Sequence, residues 1–333
     1  MHRHMNKRRV VLLTPLLLLG ASMATAHGPS VFAQFPPPTA ADRALLKDAV
    51  DIHAHLDPDS FGPHSTQAAR SLDVIEMAQR AKKLRMRAFV IKQHYDQTAQ
   101  IAYLASKAVP GIEVFGQLSL NLTVGGLNPA AVHHFAEIKG GRARIVSMPT
   151  WDSENNIRST KQERPFVRVS RDGELLPEAK AVISAIANAK VRDSNVPLVL
   201  ATGHISAAEA LLVIREGGKQ GITRMIATHA IGHPIDMTIA QMKEAVSLGA
   251  KIEFVSGFLV GTRGTFTVEQ YVAAIRTIGA DNIILSSDGG QVGRPKPDEM
   301  IALAAGQLLA KGISRAELHK MMVENPAALL SLP

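Results

Sequence analysis

Short apolar runs alternate along the chain with amphipathic stretches of helical period. Eight runs read as strands, at residues 49–53, 87–92, 112–119, 143–148, 197–202, 224–228, 251–255 and 282–287. Several are continuously apolar, as in Phe89-Val90-Ile91 and Leu198-Val199-Leu200. That pattern suits parallel strands covered on both faces rather than strands with one wet face. Ser206-Ala207-Ala208-Glu209, Ser314-Arg315-Ala316-Glu317 and, less closely, Thr267-Val268-Glu269-Gln270 fit the capping box that opens a helix. Gly217-Gly218 and Gly279 read as helix stops. Eight strands alternating with helices predict an α/β fold, a (β/α)8 TIM-type barrel in one domain. The rival, an open doubly wound sheet, lacks support from any G-x-G-x-x-G or P-loop.

One connection is longer than the rest. Residues 150–177 carry Trp151, Asp152, Glu154, Asn155 and Asn156, then Asp172-Gly173 between alternating residues, a hairpin signal. At the C-terminal face of a barrel this excursion would cover the site, although a structural or subunit-contact role fits equally well.

Composition narrows the chemistry. The 333 residues include no cysteine, so disulfides and thiolate metal sites are excluded, and a metal would rest on His, Asp, Glu or a modified Lys. Residues 1–26 read as a signal peptide. Basic residues through Arg9 precede an apolar run at 10–19 and the small-residue end Ala24-Thr25-Ala26. The run is short for a membrane span, although an uncleaved anchor is the alternative. Arg8-Arg9 leaves Sec and twin-arginine export both open. Residues 27–43, with Pro36-Pro37-Pro38, read as a linker, and 44–333 as the barrel. Arg3, Lys7, Arg8 and Arg9 leave with the signal, which takes the formal charge from +8 to about +4. The remaining charges are interspersed and aromatics make up 4% of the chain, so a nucleic-acid surface is not indicated. The expectation is an exported protein, periplasmic or secreted, that handles a small molecule without stable membrane insertion. A homo-oligomer stays open.

Histidines and one carboxylate fall at the ends of the strands, where barrels build their sites. His53 and His55 follow the first strand, Lys92 and His94 the second, His204 the fifth, His229 the sixth and Asp288 the eighth. Side chains two apart on a strand share a face, so His53 and His55 can address one ion. Imidazole with carboxylate points to zinc ahead of manganese, iron or nickel. His94, His233, Arg263 and Arg294 lie on loops or strand ends of the same face and are candidates for substrate contact. His64, His133, His134 and His319 read as surface or helix residues, and Pro295-Lys296-Pro297 as a rigid loop.

Asp51-Ile52-His53-Ala54-His55, Gly203-His204, Thr228-His229-Ala230, Ser286-Ser287-Asp288-Gly289 and the ending from Val323 to Leu330 together resemble the amidohydrolase superfamily of metal-dependent hydrolases. The likeness implies that His53 and His55 bind one metal, with Asp288 beside it as ligand and proton acceptor. It implies that His204 and His229 bind a second metal or help to hold a single one. The chain departs from the superfamily at the fourth strand, where Ser147-Met148-Pro149-Thr150 offers no bridging ligand. Lys92 is the substitute: carboxylated it would bridge two metals, and as an ammonium it would bind a substrate anion. The implied activity is hydrolysis of an amide, lactam, lactone or ester by metal-activated water. The alternatives are a single-zinc decarboxylating lyase and a barrel that binds metal or solute without turnover.

Overall fold

The strands expected from the apolar runs all form. The computed structural model describes residues 36–60, 69–260 and 265–332. The expected signal peptide, His64 and Arg263 lie outside them. Strands β1 (Val50–Ala54), β2 (Ala88–Ile91), β3 (Glu113–Ser119), β4 (Ala143–Ser147), β5 (Val199–Ala201), β6 (Met225–Ala227), β7 (Ala250–Val255) and β8 (Ile283–Ser286) pair in chain order, every neighbour parallel. A parallel bridge between Ala54 and Gly289, with the His55 N–H donating to the Gly289 carbonyl at 2.8 Å, joins the last strand to the first. The architecture is a (β/α)8 barrel.

Two apolar sets with opposite parity explain why the strands are continuously apolar. Val50, Ile52, Val90, Phe115, Ile145, Val199, Ile226 and Ile284 fill the barrel interior. Their alternates, such as Phe89, Ile91, Val146, Leu200, Phe254 and Leu285, pack outward with the helices.

The three expected capping boxes are present at Ser206, Thr267 and Ser314, and Gly279 caps its helix at φ 89°. Gly217-Gly218 does not stop a helix: both lie inside Ala207–Lys219. A Cβ on Gly217 would sit 2.8 Å from the Met225 sulfur and 2.9 Å from a Leu200 methyl. The glycine serves close helix-to-sheet approach, and tertiary packing overrides the stop signal. Asp172-Gly173 makes its hairpin, with Ser170–Arg171 antiparallel to Glu174–Leu175 and φ of 52° and 82° at the turn. Pro297 opens the helix Pro297–Ala310 rather than only stiffening a loop. His133 and His134 lie exposed on the helix Pro129–Ala136, and His319 is exposed at the end of Arg315–His319. No helix among the described residues is long and apolar enough to cross a membrane.

Candidate metal centre

The first strand changes parity before it reaches the site. Ile52 points into the barrel, yet Ala54 belongs to the outer layer, and the pairing with β2 shifts register between Asp51 and Ala54. Such a bulge re-aims the residues that follow it. Its backbone is held by Asp51, whose Oδ1 accepts the N–H groups of His53 (3.1 Å) and Ser287 (3.0 Å). Ser287 Oγ donates to the His53 carbonyl at 2.7 Å. These bonds lock β1 to β8 and turn His53 and His55 together toward the axis.

There they meet Asp288. One ligand atom each from His53, His55 and Asp288 lies within 4.8 Å of the others. Asp288 Oδ1 stands 3.4 Å from His53 Nε2 and 3.1 Å from His55 Nε2. The two histidine side chains are 3% exposed and Asp288 is 22% exposed, so the carboxylate is the most open of the three to the pocket they line together. Burial would raise the Asp288 carboxyl, but the electrostatic influence of His53 and the hydrogen bond with His55 hold it well below the ordinary carboxylate range. Asp288 adopts φ 48° and His229 φ 25°, left-handed conformations that cost a non-glycine residue energy and cluster at functional sites.

A buried acid on β7 completes this half. Glu253 Oε1 lies 3.0 Å from His53 Nδ1 and accepts from Ser286 Oγ at 2.7 Å, while Oε2 accepts the His229 N–H at 2.9 Å. Burial opposes its ionisation, yet His53 beside it brings the carboxyl down to about 2. Sequence reasoning missed Glu253. The available signal was a lone acid in the apolar run Ile252-Glu253-Phe254-Val255.

His204 and His229 form the opposite wall, their ring centroids 4.8 Å apart, with His229 5.9 Å from His53. Gly203, just before His204, lets the chain pass close to the end of β4. It sits at φ 64° with its Cα against the Met148 carbonyl, 2.3 Å from where a Cβ would be. The Nδ1 atoms of His55, His204 and His229 are buried and have no hydrogen-bond partner. Burial lowers His55 to about 3 and His229 to about 4, and burial with the field of His229 takes His204 well below its ordinary value. All three rings are therefore neutral near pH 7 and keep a lone pair for a ligand. Lys92 is 2% exposed at the end of β2. Burial lowers its ammonium, while Glu253 and Asp288 act to raise it. Neutral imidazoles, an ionised aspartate and unpartnered ring nitrogens at the strand ends form a donor set that fits a divalent cation.

The remaining candidates frame a pocket of about 430 Å³ above the centre. His94 stacks on His55 at 5.1 Å, and both its ring nitrogens are engaged, Nδ1 with Thr150 Oγ1 at 2.9 Å and Nε2 as acceptor from Trp151 Nε1 at 2.6 Å. Burial and the neighbouring His55 hold it neutral. His233 and Arg294 line the rim, His233 exposed and 3.1 Å from Asp236. The long excursion reaches the pocket through Trp151, Asn156 and Thr160. Arg164 ties it down by pairing with Asp152 and donating to the Trp151 carbonyl at 2.6 Å. Ser153 Oγ and Asn155 Nδ2 fasten it to the His204 carbonyl at 2.8 and 3.1 Å. Its hairpin lies elsewhere, against the helix Ala207–Lys219, where Ser170 Oγ meets Glu209 at 2.9 Å.

Comparison with known proteins adds a family and a set of structural likenesses. Residues 48–253 match the family described as "Family of unknown function (DUF6282)". The chain belongs to this family. The matched span of this DUF6282 member runs from before β1 through Glu253 and so takes in every site residue except Asp288 and the rim residues beyond β7. No curated protein matches the chain. Among solved structures, a Burkholderia multivorans amidohydrolase with bound zinc is similar at 14% identity and TM-score 0.55, over 86% of this chain and 99% of that one. A lactonase from Listeria monocytogenes is similar at 16% identity and TM-score 0.53, over 87% and 96%. A TatD homologue from Escherichia coli is similar at 14% identity and TM-score 0.54, over 86% and 100%. At such identities the likeness establishes the fold that the DUF6282 chain shares with amidohydrolases.

Proposed function

We propose that the protein is a metal-dependent hydrolase that cleaves an amide, lactam, lactone or ester bond of a small molecule. The observation that carries this reading is the convergence of His53, His55 and Asp288, with His204 and His229 opposite, at the C-terminal mouth of the barrel. The fold shared with a zinc-bound amidohydrolase and a lactonase supports it. His53, His55 and Asp288 would hold one divalent ion, zinc in the first instance. His204 and His229 would hold a second or complete the first, with Lys92, carboxylated, as the bridge. When bound, such an ion supplies Lewis acidity to water and to the scissile carbonyl.

The protein's own groups then divide the work. Asp288, ionised and facing the pocket, accepts the proton of the attacking water and returns it to the leaving group. His94, held by Trp151 and Thr150, and the rim residues His233 and Arg294 orient the substrate, together with Arg263, which lies outside the described residues. A basic leader ahead of the barrel supports export to the periplasm or medium, and the interspersed charge supports a small-molecule rather than a nucleic-acid partner. A single-ion lyase is the second reading. It is favoured by the observation that the one compact ligand group among the described residues is His53, His55 and Asp288.

Elemental analysis of the purified protein beside His53→Ala and Lys92→Ala decides between these readings. Two equivalents that fall to one or none in Lys92→Ala support the bridged dinuclear hydrolase. One equivalent that survives Lys92→Ala and is lost in His53→Ala brings the lyase forward. No metal in any preparation, with zinc or manganese supplied, removes both.

A further inference from the structure

Glu253 makes three hydrogen bonds, and as an ionised carboxylate it accepts in each of them. The His229 N–H is a fixed donor to Oε2 at 2.9 Å. Ser286 Oγ reaches Oε1 at 2.7 Å, and His53 Nδ1 shares that oxygen at 3.0 Å. A carboxylate is acceptor-only, so it meets all three at once, and His53 must then carry a proton on Nδ1. Its other nitrogen, Nε2, is left to face Asp288 at 3.4 Å.

We propose that Glu253 is a positioning residue: it fixes the His53 ring with its proton on Nδ1 and its ligand lone pair on Nε2, aimed at the centre. It also ties β1, β6 and β8 to one point of β7. This rests on the metal-centre reading only for its consequence, since the hydrogen-bond assignment stands without an ion.

The Glu253→Gln variant shows why the carboxylate matters. The amide has one acceptor oxygen and one donor nitrogen in place of two acceptors. The His229 N–H cannot give up its proton, so the amide oxygen must turn to it. The amide nitrogen then faces His53 Nδ1, which has to shed its proton and become the acceptor. The His53 proton moves to Nε2 and blocks the lone pair that a metal would use.

The test is the nitrogen-15 spectrum of His53 in the metal-free protein at about pH 8, with zinc affinity measured by chelator competition. In the native protein a proton coupled to His53 Nδ1 is expected. In Glu253→Gln it should leave Nδ1, with zinc affinity lower by about 10–100-fold. Ser286→Ala, which removes a donor and leaves the carboxylate, should keep the Nδ1 proton. A native His53 without a proton on Nδ1 overturns the proposal, and this measurement needs no variant to fold. Zinc affinity unchanged in a folded Glu253→Gln also overturns it. If the native protein keeps the Nδ1 proton and binds no zinc, the positioning role is supported while the metal-centre reading falls.

Discussion

The two ends of the barrel are built on opposite principles. At the C-terminal mouth, polar groups are gathered and left partly unsatisfied, with non-glycine residues His229 and Asp288 in left-handed backbone. At the N-terminal end the chain's last residues act as a plug. Ala327, Leu329 and Leu330 pack onto Val50, Val90, Phe115 and Ile145. Arg144 lies 4.1 Å over the Phe115 ring and donates to the carbonyls of Leu330 (3.1 Å), Gly141 (2.8 Å) and Ala143 (2.7 Å). Asn325 Nδ2 clamps the same segment to the carbonyls of Ala280 (2.8 Å) and Ile283 (2.7 Å). One end spends polar atoms to close a core, and the other withholds them for a ligand. Stability and chemistry are thereby separated along the barrel axis.

That separation can be broken from either side. The largest effect is expected from Asp288→Asn, which removes the proposed proton acceptor at the mouth. Turnover on a responsive ester or lactone should fall by about 10²–10⁴-fold with the melting temperature little changed. Equal activity in the variant would remove Asp288 from the chemistry. At the other end, Leu330→Ala should destabilise the protein by about 2–5 kcal/mol, read from denaturant midpoints, because the side chain is fully buried in the plug. Its metal content should match the native protein's. A loss of metal there would mean that the ends are coupled.

Acid sharpens the comparison with a smaller effect. Burial depresses His55 to about 3 and His229 to about 4 in the folded protein. The unfolded rings bind protons first as pH falls below about 6.5, so the unfolded state is favoured progressively below that value. Glu253, held at about 2, adds a loss of the same sign below about 4.5. The melting temperature of the metal-free protein should therefore decline from pH 7 toward pH 4. A flat profile would show that the mouth does not hold its histidines neutral.

Much of this molecule is legible locally. The eight strands, the caps at Ser206, Thr267 and Ser314, and the turn at Asp172-Gly173 depend on residues close in sequence, and each formed where its pattern lies. Histidines after apolar runs were legible for the same reason, because the end of a parallel strand is defined by the run itself. Gly217 shows the limit, since its role depends on Met225 and Leu200 rather than on its own helix.

The sequence by itself thus determined the barrel, its strand ends and the types of side chain gathered there. Tertiary structure alone decided how those side chains face one another. The bulge after Asp51 takes its support from Ser287, 236 residues away, and shifts the parity that simple alternation would assign to β1. Glu253 gains its meaning from His53, 200 residues distant, and His94 from the Trp151 indole that occupies its Nε2. Hydrophobic period is a property of neighbouring residues. A tautomer, a bulge or an unpartnered nitrogen is a property of what the fold brings alongside, and no local pattern encodes it.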